Sequence, residues 1–231
     1  MKTAGIIGGI GPESTVEYYR LMIAAYREQR NDGSYPSIII NSIDVKKLLD
    51  LVHANEFARL VEYLAAEVEK LARAGADFGL LAANTPHIVF DEIREQSHIP
   101  LISIVEATRD AAQALGLKKL GLFGTRFTMQ GRFYPEVFSQ AGIALVAPNQ
   151  HEQSYIHDKY LGELVHGIIL PETREGLLAI VNRLKERDGI DGLILGGTEL
   201  PLILRDAGAS GIPFLDTTKI HVERAVAQLL S

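Results

Sequence analysis

Four short polar clusters in this chain have the residue types and spacing to do chemistry. The first is Gly8-Gly9-Ile10-Gly11-Pro12-Glu13-Ser14-Thr15. Its glycines let a backbone approach a ligand closely, and a helix opening at Pro12 would offer unpaired N–H groups to an anion. The spacing is neither a GxGxxG dinucleotide turn nor a GxxxxGK[ST] phosphate loop. A small anion such as a carboxylate is the ligand it suits, and a tight turn without a ligand is the other reading. Ala83-Asn84-Thr85-Pro86-His87 and Gly197-Thr198-Glu199 each set a small residue, then an amide or hydroxyl, then a polar group at an expected helix start. Both fit an anion cradle and both fit simple N-capping. The fourth cluster, Gly124-Thr125-Arg126-Phe127-Thr128, also reads as a cap.

Of the seven histidines, His87 and His221 follow predicted strand ends. His53, His98, His151, His157 and His166 fall in helical or loop contexts expected at the surface. No HxxxH, HExxH or clustered carboxylate pattern marks a metal site, and no GxSxG elbow marks a serine hydrolase.

These turns need strands and helices to hold them. Short β-branched runs alternate with longer stretches of helical period, the pattern of an α/β protein with mainly parallel strands. Strands are expected at Thr3–Gly8, Ser37–Ser42, Phe78–Ala82, Pro100–Ile104, Leu120–Phe123, Ala144–Val146, Gly192–Leu195 and Pro213–Leu215. Pro12 opens a helix with Val16, Tyr19, Ile23 and Tyr26 at helical spacing, ending near Asn31-Asp32-Gly33. Phe57, Leu60, Val61, Leu64, Val68 and Leu71 make one amphipathic helix closed by Gly75.

The chain also repeats itself. Ala74-Gly75-Ala76-Asp77 with the segment Gly79 to Thr85 is echoed, 114 residues on, by Asp188-Gly189-Ile190-Asp191 with Leu193 to Glu199. Ile99-Pro100-Leu101 is echoed by Ile212-Pro213-Phe214, and Gly5 to Gly9 by Gly121 to Thr125. Three echoes in order at nearly one offset predict a duplicated half, hence two similar α/β domains with a cleft at the C-terminal ends of their strands.

Composition narrows the class. The 231 residues are 47% hydrophobic and 23% charged, with a net charge of −6. The acidic balance and scattered Lys and Arg argue against nucleic acid as partner. No apolar run approaches the roughly 18 residues of a membrane span. The apolar N-terminus breaks on glycines without a cleavage-site pattern, so a cytoplasmic protein is expected. Cysteine is absent, which removes disulfides, thiolate metal sites and any cysteine nucleophile.

Together, GIIGGIGPEST at Gly5–Thr15, NTPH at Asn84–His87, GTRFTMQGRFY at Gly124–Tyr134, GGTELPL at Gly196–Leu202 and DTTKIH at Asp216–His221 resemble the aspartate/glutamate racemase family along the whole chain. The resemblance implies two pseudo-symmetric α/β domains with the substrate between them and a C-terminal segment that returns to the first. Residues 1–103 with 210–231 would form one domain and 104–209 the other. It implies a homodimer acting on an amino acid or dicarboxylate, with no pyridoxal phosphate, other cofactor or metal.

Members use two facing residues, typically cysteines, one removing the α-proton and the other returning a proton on the opposite face, as inversion requires. By motif those cysteines fall at Ala83 and Gly197, and neither residue here titrates. The two missing thiols would leave room for about one water each. Glu199, His87 and Thr198 are the nearby candidates to take over, directly or through such a water. Gly9, Ser14, Thr15, Asn41, Ser42, Asn84, Thr85, Thr125 and Thr198 are the expected substrate contacts. Lys46 or Lys47, just past Asn41-Ser42, and Lys159 are candidate carboxylate clamps, while Val165 stands where many relatives carry a lysine. Two functions remain open: cofactor-independent racemisation, or a diverged relative that binds a small dicarboxylate or amino acid without racemising it, or runs lyase or isomerase chemistry.

Overall fold

The structure, a computed structural model, describes residues 2–204 and 210–231. The chain divides into two compact units, Met1–Ile104 with His221–Ser231, and Val105–Ile220.

The first unit opens with β1 (Thr3–Gly8), α1 (Pro12–Gln29), β2 (Ser37–Ser42), α2 (Val45–His53), α3 (Phe57–Arg73) and β3 (Phe78–Leu81). A 3-10 turn (Thr85–Val89), α4 (Phe90–Gln96) and β4 (Leu101–Ile102) complete its sheet. The strand order is β2-β1-β3-β4, all parallel, with Gly5 beside Gly79 and Ile7 beside Leu81. Nearly continuous apolar strands are what a parallel sheet covered on both faces demands. The core on one face gathers Ile6, Phe78 and Leu80 with Tyr18, Met22 and Tyr26 of α1 and Val222, Val226 and Leu229 near the C-terminus.

The second unit repeats the plan. It holds α5 (Ile104–Ala114, its first residue in the first unit), β5 (Lys119–Gly124), α6 (Arg126–Gln130), α7 (Phe133–Ser139), β6 (Ala144–Val146) and α8 (Gln150–Gly162). A second 3-10 turn (Leu164–His166), α9 (Pro171–Asp188), β7 (Gly192–Gly196), α10 (Leu200–Ile203) and β8 (Phe214–Asp216) follow, and α11 (Thr217–Leu230) begins in the second unit and from His221 belongs to the first. The order β6-β5-β7-β8 is that of the first sheet. Gly121 pairs with Leu193 as Gly5 pairs with Gly79, so the sequence echoes fall on corresponding strand pairs.

Two expectations change. Residues 210–220, expected with the first unit, lie with the second, because β8 pairs along β7 from Leu193 to Leu195 and Thr217 donates to the Leu195 carbonyl at 2.9 Å. Only His221 onward joins the first unit. The strand expected over Pro100–Ile104 is two residues long: the Pro100 carbonyl still accepts from Gly79 N–H of β3, while the Ile102 carbonyl and the Ile104 N–H are met by His221 and His87. No helix of the described residues is long and apolar enough to cross a membrane.

Candidate functional site

At the end of β1 the chain turns tightly into α1. Gly9 has φ +79°, and a Cβ there would lie 2.4 Å from the Ile43 carbonyl oxygen and 2.7 Å from Ser42 Oγ. Only glycine fits, so Gly9→Ala should destabilise the protein by more than about 1 kcal/mol, measurable as a lowered urea midpoint. The polar groups here serve the turn itself. Gly9 N–H donates to Thr15 Oγ1 at 2.8 Å, and Thr15 Oγ1 faces the Gly11 carbonyl at 3.4 Å. Buried Ser14 donates to the Ala82 carbonyl at 2.9 Å and ties α1 to the end of β3. The Thr15 side chain is therefore committed to closing the turn, and that of Ser14 to tying α1 to the end of β3. The start of α1 itself has no side-chain cap.

Ala83 and Asn84, both buried, and partly exposed Thr85 follow β3. His87, expected as an acid or base, has both ring nitrogens engaged. Nδ1 meets the Ala83 carbonyl at 3.0 Å, so it carries the proton, and Nε2 accepts from the Ile104 N–H at 3.2 Å. Burial first, and the neighbouring His221 second, hold its pKa down to about 3. His221 is fully buried too; Nε2 donates to the Ile102 carbonyl at 2.9 Å and Nδ1 accepts from the Tyr18 hydroxyl at 2.9 Å. Burial lowers its pKa to about 4. Two neutral histidines thus brace the chain at the end of β4 and just beyond it, and neither has a nitrogen left for a substrate.

Of the candidates on β2 and α2, Ser42 borders the Gly9 turn and the others face elsewhere. Asn41 Nδ2 donates to the Glu67 carboxylate at 2.8 Å, and Lys70 binds the same carboxylate at 2.7 Å. Lys47 Nζ lies 4.0 Å from the centroid of the Tyr63 ring. Lys46 pairs with Asp50 at 2.6 Å, and Ser42 is exposed. Asn41, Lys46 and Lys47 thus attach to the α2–α3 face, apart from the partners of Ser14 and His87.

In the second unit, the end of β7 brings a carboxylate and two hydroxyls together. Glu199, only 7% exposed, accepts from Thr198 Oγ1 at 2.6 Å and from the Tyr160 hydroxyl, both on Oε2. Tyr160 reaches it from α8, whose start is fixed by a capping box between Asn149 and Glu152 and whose inner stripe is Ile156 and Tyr160. A Cβ on residue 197 would lie 2.5 Å from Tyr160 Cε2 and 3.0 Å from both Cζ and Oη. The room expected for a water beside Gly197 is filled by this ring. Burial, then the Glu199 charge and hydrogen bond, push the Tyr160 pKa well above the usual tyrosine range, so the phenol keeps its proton.

Thr125 caps α6, accepting from Thr128 N–H at 3.4 Å. Lys159 pairs with Glu163, which also accepts from Thr173 at 2.5 Å, and neither joins the Glu199 cluster. Tyr160 escaped the motif reading because it belongs to no turn. Its signal is a hydroxyl-bearing ring on an otherwise apolar helical stripe.

Residues 7–225 match the profile of a family described as Asp/Glu/Hydantoin racemase. The chain is 26% identical over 237 residues to a broad-specificity amino-acid racemase of Bacillus subtilis, covering 98% of each. Among solved structures, a candidate Asp/Glu racemase from Yersinia pestis superposes with a TM-score of 0.93 at 31% identity. An aspartate racemase homologue from Pyrococcus horikoshii superposes with 0.88 at 33%, and both cover the two chains fully.

Proposed function

This chain belongs to the Asp/Glu/Hydantoin racemase family, and from that premise we propose that it binds a small amino acid or dicarboxylate and transfers a proton at its α-carbon from one face only. Glu199 is the acid/base. The observation that carries this reading is the buried Glu199 carboxylate, two residues beyond Gly197 and oriented by two hydroxyl donors. Ala83 has no proton to give, and His87 spends both nitrogens on backbone, so the corresponding turn of the first unit supplies no second base. Family resemblance further supports chemistry without pyridoxal phosphate or metal, a cytoplasmic location and a homodimer.

A single base returns the proton, or solvent deuterium, to the face it came from. Incubation of L- and D-aspartate and L- and D-glutamate in D₂O, followed by proton NMR and chiral chromatography, should show loss of the α-proton signal with configuration retained. Inversion would refute the one-face reading. Measurable binding with no exchange would instead make the protein a binder that has lost turnover.

A further inference from the structure

We propose that Tyr160 is the proton relay of this site, standing in the place the second cysteine occupies in relatives and passing the substrate's α-proton to Glu199. The inference rests on the one-face reading above and names the atom that meets the substrate.

Residue 197 is glycine and Tyr160 lies against it, and each explains the other. Any side chain at 197 would run into the ring, while the absence of one lets the phenol sit with Oη 3.0 Å from where that side chain would begin. A thiol projecting from 197 and the phenol oxygen of Tyr160 would therefore claim the same space. Packing alone does not need the hydroxyl, since the ring is part of an apolar cluster with Ile156, Leu164, Leu195 and Leu200. The hydroxyl is nevertheless donated to a buried carboxylate that Thr198 also holds. Burying a polar group costs free energy unless it is paired, and here the pairing builds a chain from the phenol to the carboxylate.

The chain balances as one step. The substrate C–H bond breaks and its proton bonds to the Tyr160 oxygen. The Tyr160 O–H bond breaks as its proton bonds to Glu199 Oε2, and the electron pair stays on the substrate carbon. Return of a proton reverses both transfers. No free phenolate forms beside the carboxylate, and such a phenolate is the species that burial and the Glu199 charge disfavour. Thr198 does not move its proton; it keeps Oε2 turned toward the phenol.

Tyr160→Phe separates the relay from packing, because it retains the ring against Gly197 and removes only Oη. Three measurements are made on wild type, Tyr160→Phe, Glu199→Gln and the double variant: α-proton exchange of L-aspartate and L-glutamate in D₂O, affinity for the same two compounds by calorimetry, and the melting temperature. The expected result is exchange lowered about 10²-fold in Tyr160→Phe with affinity little changed. The double variant should be no slower than the worse single variant, as expected of residues acting as a unit. Wild-type exchange rates in Tyr160→Phe would overturn the relay and leave Glu199 as a direct base. Exchange lost only together with affinity or melting temperature would make Tyr160 a packing residue and also overturn it. Absence of exchange in the wild type would overturn both the relay and the one-face reading beneath it.

Discussion

Acidification from pH 6.5 toward pH 4 should cost this protein several kcal/mol of stability, and the loss should trace to His87 and His221. Both are buried and neutral, with pKa values held near 3 and 4 against an ordinary 6.5. The folded values lie below the unfolded one, so the unfolded chain takes up the protons first. Stability is therefore full above pH 6.5 and falls as pH drops toward the folded values. Each histidine accounts for roughly 3–5 kcal/mol at the acid limit, since every tenfold loss of proton affinity on folding is worth about 1.4 kcal/mol. Protonating His87 would put a proton on the nitrogen that accepts the Ile104 N–H, and protonating His221 would displace the Tyr18 hydroxyl bond. Urea unfolding at half-unit steps from pH 7.5 to 4.5 should show stability falling by roughly 2–3 kcal/mol per pH unit below pH 6. Replacement of His221 by Gln should about halve that slope. A flat profile across this window would show that the two rings are not held neutral. Burial pushes the Glu67 carboxyl up, but Lys70 and Asn41 together outweigh it and lower its pKa, so its contribution is present above about pH 4.5 and is lost mainly below that.

Introducing cysteine at position 197 should fail in a specific way. The new Cβ would meet the Tyr160 ring at 2.5 Å, and the ring is packed too firmly to give way freely. Gly197→Cys should lower stability by about 1–3 kcal/mol, the usual cost of overpacking a well-filled core. Combining it with Tyr160→Ala should recover part of that loss, a coupling of about 1 kcal/mol or more by double-mutant cycle. Racemisation of aspartate and glutamate, followed polarimetrically, should be absent in Ala83→Cys/Gly197→Cys while Tyr160 remains. Activity in that double variant would show that the ring leaves the position readily, against the packing described here. The outcome decides whether a side chain at 197 and the Tyr160 ring exclude each other.

The sequence alone determined the architecture. Short apolar strand runs such as Thr3–Gly8 and Gly192–Leu195, alternating with helical stretches, predicted a covered parallel sheet, and their echoes at nearly one offset predicted the duplicated plan that the two sheets show. Local rules sufficed because periodicity and turn chemistry act over a few residues. The glycine-rich and polar motifs also named the strand-end turns correctly, including Gly9, whose positive φ no other residue tolerates so close to Ile43.

What the turns do with their polar groups was decided only by the tertiary structure. His87 looked like a free base and became a brace, because its buried imidazole joins the Ala83 carbonyl beyond β3 to the Ile104 N–H, which lies past the end of β4. Residues 210–220 followed β8 into the second sheet because ladder hydrogen bonds to β7 outweigh continuity with α11. Above all, Tyr160 stands 37 residues from Gly197 in sequence and against it in space. No spacing rule links a ring on α8 to a missing side chain after β7; only packing does, since a space left in a core is filled by whichever neighbour can reach it.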